Sequence, residues 1–148
     1  MKNSVFVSIL FIAGILFMLG GREDEGGGCQ CNVSTAKISE AKICTTLTGK
    51  LCDQDNPELE SSTKTIYVSC RLKYAVEDTN VKFTWLYYGK SKIEIDNVVF
   101  NTGKNMGNLE LHSSLSQPNN GWPKGAYEVV IQVQTDNAKP FIKQFNIK

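Results

Sequence analysis

The sequence predicts an all-β domain of two antiparallel sheets packed face to face, built from seven strands. Three observations predict it. Apolar side chains recur at every second position in successive runs between residues 65 and 133, which is the period of a half-buried strand. Glycine, proline and asparagine punctuate these runs at the spacing of short antiparallel connections. No helical period of useful length interrupts them, which disfavours a parallel sheet with crossover helices.

The first strand falls near Lys37 to Thr46. In Thr65 to Tyr74, Ile66, Val68, Cys70, Leu72 and Tyr74 share one face, opposite Tyr67, Ser69, Arg71 and Lys73. Val81 to Tyr88 repeats the pattern, with Val81, Phe83, Trp85 and Tyr87 on one side, and Gly89 ends it. Ser91 to Phe100 begins with Ile93 and Ile95 against Lys92, Glu94 and Asp96, then turns apolar at Val98, Val99 and Phe100. Asn101 to Lys104 supplies the next turn. Leu109, Leu111 and Ser113 make a weaker strand, followed by a loop from Ser116 to Lys124 that contains two prolines and Gly121. Tyr127, Val129, Ile131 and Val133 form the cleanest strand, and Phe141, Phe145 and Ile147 mark the last. Residues 33–148 are therefore one β-sandwich domain.

With 148 residues, 41% of them hydrophobic, the chain has the composition of a single folded domain rather than a disordered one. Its 16 basic and 15 acidic side chains leave a formal net charge of +1. Such a balance provides no basic field to hold a phosphate backbone, so nucleic acid is not an expected partner.

Ahead of the sandwich, no charge separates Lys2 from Arg22, and the interval is dominated by residues such as Val5, Phe6, Leu10, Phe11, Ile15 and Leu19. A basic start, an apolar run and small residues Gly20 and Gly21 are the marks of an export signal. The run also approaches the length that crosses a bilayer as a helix, so residues 1–21 are either a cleaved signal peptide or a membrane anchor. Both readings place the rest of the chain outside the cytoplasm, in the periplasm or at the cell surface. Lipid attachment fits poorly, because Arg22 to Gly28 separate the apolar run from Cys29. Residues 22–32, glycine and charge with little to bury, read as a flexible linker.

Five cysteines, at 29, 31, 44, 52 and 70, lie in a chain addressed to a compartment where disulfides persist. Cys44 and Cys52 flank a short segment containing Gly49 that can fold back, and they are the candidate disulfide. Cys70, between Val68 and Leu72, reads as a small buried hydrophobe. The pairing of Cys29 and Cys31 stays open. Their C-x-C spacing misses the paired pattern of a zinc site, and no cofactor motif is present. His112 lies opposite the leucines of its strand, and Ser113, Ser114 and Ser116 lack a nucleophile frame. Asp53, Asp55, Glu58 and Glu60 form an acidic loop whose calcium pattern breaks at Pro57. Glu94 and Asp96 are explained as an outward polar face. The expected catalytic and metal residues are therefore none.

A candidate recognition surface is aromatic: Trp122, Tyr67 and Tyr88 fall on loops or outward positions, where exposed rings anchor binding patches. For Trp122 the reading favoured over an exposed anchor is that Trp-Pro caps the end of the sandwich and covers the core. Trp85, the stretch Gly121-Trp122-Pro123-Lys124-Gly125-Ala126-Tyr127 and the final strand resemble an immunoglobulin or fibronectin-III-like module. More narrowly, Phe83-Thr84-Trp85-Leu86-Tyr87-Tyr88 and the Gly-Trp-Pro-x-Gly-x-Tyr-x-Val run resemble sandwich domains of bacterial secreted proteins and lipoproteins. The resemblance covers roughly residue 36 to the C-terminus. It implies a non-catalytic binding or accessory module, with a protein or another envelope component as partner, or a structural spacer at the cell surface. It also opens a role for the Tyr127 hydroxyl as an anchor onto nearby backbone, the other reading being an ordinary buried aromatic. The paired inter-sheet cysteines of antibody domains are missing.

Overall fold

The structure, a computed structural model, describes residues 33–148. The proposed leader helix and linker, with Cys29 and Cys31, lie outside the described residues. Every regular element among the described residues is a strand. In chain order these are β1 (Lys37–Cys44), β2 (Glu58–Leu59), β3 (Thr65–Ala75), β4 (Asn80–Tyr88), β5 (Lys92–Asn101), β6 (Gly107–Ser116), β7 (Gly125–Val133) and β8 (Phe141–Ile147). The smaller sheet has the order β1-β3-β6 and the larger the order β2-β8-β7-β4-β5.

Two features depart from the seven-strand antiparallel expectation. β2 is an additional two-residue strand, too short to leave a period in the sequence, and it pairs with β8 in parallel through Glu58–Asn146 and Leu59–Ile147. Its position follows from the segment before it. Cys44 and Cys52 form a disulfide with Cα atoms 5.7 Å apart, and the returning chain bonds back to β1 through Asn56 N–H to Ile43 O at 2.7 Å. That staple turns the chain at the end of β1 and delivers residues 57–59 alongside β8.

The two sheets close on one core. Ile43, Ile66, Val68 and Leu72 from the smaller sheet and Val81, Phe83, Val129, Ile131 and Phe145 from the larger are almost wholly buried. Burying each such side chain is worth roughly 1.5–3 kcal/mol. Trp85 lies in the middle of this core, edge-on to Phe145, and its indole N–H donates across the gap to Ser113 Oγ at 3.0 Å. The bond satisfies the polar atom that an apolar core would otherwise strand. It also sets β4 over β6, the last strand of the smaller sheet, so β5 extends beyond the layer that would cover it.

At one end of the sandwich, buried Thr79 and Thr102 tie two connections together. Thr79 N–H donates to Thr102 Oγ1 at 3.0 Å, and both hydroxyls donate to Val76 O. At the other end Tyr127 stacks on Phe145 with centroids 5.2 Å apart, and its hydroxyl donates to Pro123 O at 2.6 Å.

Cys70 is the free thiol of the described residues and is 2% exposed on the core face of β3. Burial pushes its thiol up to about 12, from an ordinary value of 9.0. The folded state therefore holds the thiol proton through a range in which the unfolded chain releases it. This contribution to stability is complete below about pH 9 and declines as pH rises from there toward 12. Tyr127, also pushed up to about 12, by burial first and by Tyr87 second, adds a parallel loss that begins near 10. Replacing Cys70 by Ala is expected to shift the start of alkaline destabilisation from about pH 9 to about pH 10, read from urea midpoints across that range. Replacing Cys44 and Cys52 together by Ala is expected to lower stability by about 2–3 kcal/mol, read by the same denaturation.

Candidate functional site

The structure does not assemble the aromatic patch expected of Trp122, Tyr67 and Tyr88. Trp122 is a correction to that surface and bears out the end-cap reading: it is 5% exposed and packs edge-on to Tyr127 at 6.4 Å, with its indole N–H donating to Thr63 O at 2.6 Å. The ring closes the end of the core, where a large apolar body with one satisfied donor is most stabilising. Tyr67 is half-buried on the outer face of the smaller sheet, beside Cys44 and Ser114. Tyr88 lies on the outer face of the larger sheet, so the two tyrosines occupy opposite sides of the sandwich.

Tyr88 belongs instead to a polar cluster around Glu128. The Glu128 side chain is almost fully buried on that outer face. It accepts hydrogen bonds from Tyr88 Oη at 3.1 Å, Lys92 Nζ at 3.4 Å and Gln144 Nε2 at 3.3 Å. Lys92 also lies 5.2 Å from the Tyr88 ring centroid. Sequence alternation places Glu128 on the polar side of β7 but gives no sign that neighbouring strands cover it. Opposite it in register stand Leu86 and Gln144, and side chains reaching over from β4, β5 and β8 shield the carboxylate. With three donors committed to it, this carboxylate is a structural junction between strands rather than a free base.

The other titratable candidates are dispersed. His112 is exposed on the outer face of β6, opposite Ser69. Ser113 is buried and committed to Trp85. In the acidic loop each carboxylate of three residues has a protein partner. Asp53 accepts from Thr48 Oγ1 at 2.7 Å, while Asp55 accepts from Ile43 N–H at 2.8 Å and pairs with Lys143. Glu58 accepts from Asn146 Nδ2 at 2.9 Å and pairs with Lys148 at 3.0 Å; these two partners, in that order, hold its carboxyl below the usual range. Among the described residues no group of three or more His, Cys, Asp or Glu is placed to hold a metal ion.

The surface that stands out is β5. All ten of its residues are exposed, and among them Ile93, Ile95, Val98, Val99 and Phe100 are each 42–52% exposed. The expectation of a strand half-buried on one face fails here because β5 has a neighbour on one edge only and lies beyond the cover of β6. Val98 and Phe100 stand opposite Phe83 and Val81 and continue the core face of β4 into solvent as a ledge. Val99, opposite Lys82, is on the outer face. The N-terminal half of the strand is guarded. A bulge between Asp96 and Glu94 breaks the register at Ile95, and the two carboxylates turn onto Asn97, accepting from its backbone N–H at 2.8 Å and from Nδ2 at 2.6 Å. From Asn97 to Asn101 the edge carries no charge.

No protein-family model matches the chain, and no curated protein matches it. Among the described residues no helix is long and apolar enough to cross a membrane; the apolar run of residues 1–21 lies outside them.

The reassignment of Trp122 carries a measurable difference. Trp122→Ala is expected to destabilise the domain by about 3–5 kcal/mol in urea unfolding, the cost of emptying a core site. An exposed recognition side chain would change stability by no more than about 0.5 kcal/mol.

Proposed function

We infer that this chain is an exported, membrane-tethered, non-catalytic binding or accessory module of the cell envelope, carried on an immunoglobulin-like sandwich. The sandwich type is supported by the strand order β1-β3-β6 facing β2-β8-β7-β4-β5, by Trp85 at the centre of the core and by the Tyr127 hydroxyl bonded four residues upstream. Export is supported by the apolar run of residues 1–21 and by the Cys44–Cys52 disulfide, a bond that persists in oxidising compartments. The binding role rests on β5, an uncovered apolar edge strand. Such strands recruit another strand through backbone hydrogen bonds, with side chains on both faces adding selectivity.

A structural spacer is the second reading. It is favoured by the placement of the ends of the domain. The chain enters beside the β7–β8 connection, where Ser34 and Asn137 exchange hydrogen bonds at 3.0 and 2.8 Å. It finishes at the opposite end, where Lys148 bonds to Leu59 and Ser61.

A photo-crosslinking amino acid placed at Val99 in living cells separates the two. The binding module predicts a discrete adduct at Val99 and none from the same group at His112, which is exposed on the other sheet. A spacer predicts no adduct at either position, and that result would overturn the binding role of β5. Intact mass of the chain from membrane and soluble envelope fractions tests the address. A cytoplasmic, unprocessed chain with Cys44 and Cys52 reduced would overturn export.

A further inference from the structure

We propose that the open half of β5 pairs with the same strand of a second copy of this chain, antiparallel about a two-fold axis at Val99, so that two five-stranded sheets become one continuous sheet. The inference rests on the binding role of β5 and names its partner.

The residues of the edge fit themselves in this register and in few others. Antiparallel neighbours directly opposite one another share a face of the sheet. A two-fold at Val99 sets Val98 of each copy against Phe100 of the other on the ledge side. On the outer side Val99 meets Val99 and Asn97 meets Asn101. Apolar residues thus meet apolar ones and amides meet amides. Asp96 of the two copies would stand six positions apart along the strands, about 20 Å, well beyond the screening length at physiological salt. Parallel pairing would instead stack Glu94 on Glu94 and Asp96 on Asp96, and an antiparallel axis at either carboxylate would do the same, at a cost from like charges held directly opposite.

The features that keep β-edges solitary are confined to the other half of the strand. Lys92, Glu94, Asp96 and the bulge at Ile95 all precede Asn97, whereas Val98, Val99 and Phe100 follow without a charge or a proline. This asymmetry limits pairing to a short, defined stretch and thereby favours a closed dimer over an open fibre, since a two-fold contact uses the same edge on both copies. The rest of the molecule opposes it little, because a chain of net charge +1 does not repel its copy.

The area is sufficient for a weak specific contact. Val98, Val99 and Phe100, the apolar side chains of the paired stretch, are near half exposure and present on the order of 200 Å² per copy. Two copies with their backbone edges stay below roughly 1,000 Å², in the range of weak, transient contacts. Tethering to one membrane would raise the local concentration and strengthen so modest a contact without new surface.

Sedimentation velocity of the full chain as isolated, at concentrations up to about 100 µM, tests the proposal. The wild-type chain is expected to show a reversible monomer–dimer equilibrium. V99D alone and V99K alone, each placing like charges face to face, are expected to weaken it at least tenfold, while an equimolar mixture of the two restores a dimer. Val99 is 52% exposed, so thermal unfolding of both variants is expected to match wild type. A wild-type chain that stays monomeric, or a dimer unaffected by either variant, would overturn the pairing. Non-reducing electrophoresis identifies a dimer joined through Cys29 or Cys31, which would overturn it as well. If the chain is monomeric and yet crosslinks a different protein through Val99, self-pairing fails and the binding role stands.

Discussion

The hydrogen bond from the Trp85 indole to Ser113 fixes how the two sheets of this domain lie on one another. An indole N–H in an apolar core needs an acceptor, and the acceptor available is a hydroxyl on the last strand of the smaller sheet. Once β4 is held over β6, the order of the larger sheet leaves β5 with no layer beneath it. The exposure of Val98 and Phe100 is thus a consequence of core geometry. Three strands facing five cannot cover both margins of the larger sheet. The opposite margin ends in the two-residue strand β2, and the uncovered margin is β5.

Hydrogen bonding also explains how the ends of the sandwich are sealed. At one end Trp122 and Tyr127 enclose apolar volume and deliver their polar atoms to the carbonyls of Thr63 and Pro123. At the other, Thr79 and Thr102 satisfy one another and the Val76 carbonyl. Two of these bonds join connections distant in sequence, Trp122 to Thr63 and Thr79 to Thr102, so the loops are fixed by the same side chains that close the core.

Much of this architecture is legible in the sequence because a strand buried on one face writes a period of two, as in Val81 to Trp85 and Tyr127 to Val133. The Cys44–Cys52 pair is legible for a different reason, the short interval and Gly49 between them. What stays hidden depends on neighbours distant in the chain. Glu128 occupies a polar position of its strand, and only the reach of Tyr88, Lys92 and Gln144 from three other strands reveals that it is buried. Trp122 sits in a loop, where the sequence allows either an exposed anchor or a cap; Thr63 decides between them and lies 59 residues away. β5 is the reverse case. Its apolar residues at successive positions suggest burial, but whether a layer covers them depends on sheet order, which local patterns do not encode. The run Val98-Val99-Phe100, apolar on both faces, is the trace that the β5 edge leaves in the sequence.

The covalent link between Cys44 and Cys52 has a further consequence for a chain that meets proteases. The exposed residues between them form the tip of a loop closed on itself, with β1 paired to β3 on one side and β2 to β8 on the other. A cut anywhere from Thr45 to Leu51 leaves the fragment that carries β1 joined to the rest both through sulfur and through its pairing with β3. Such a nicked molecule retains every strand and its exposed margin, and its two pieces part only after the disulfide is reduced and β1 has left β3.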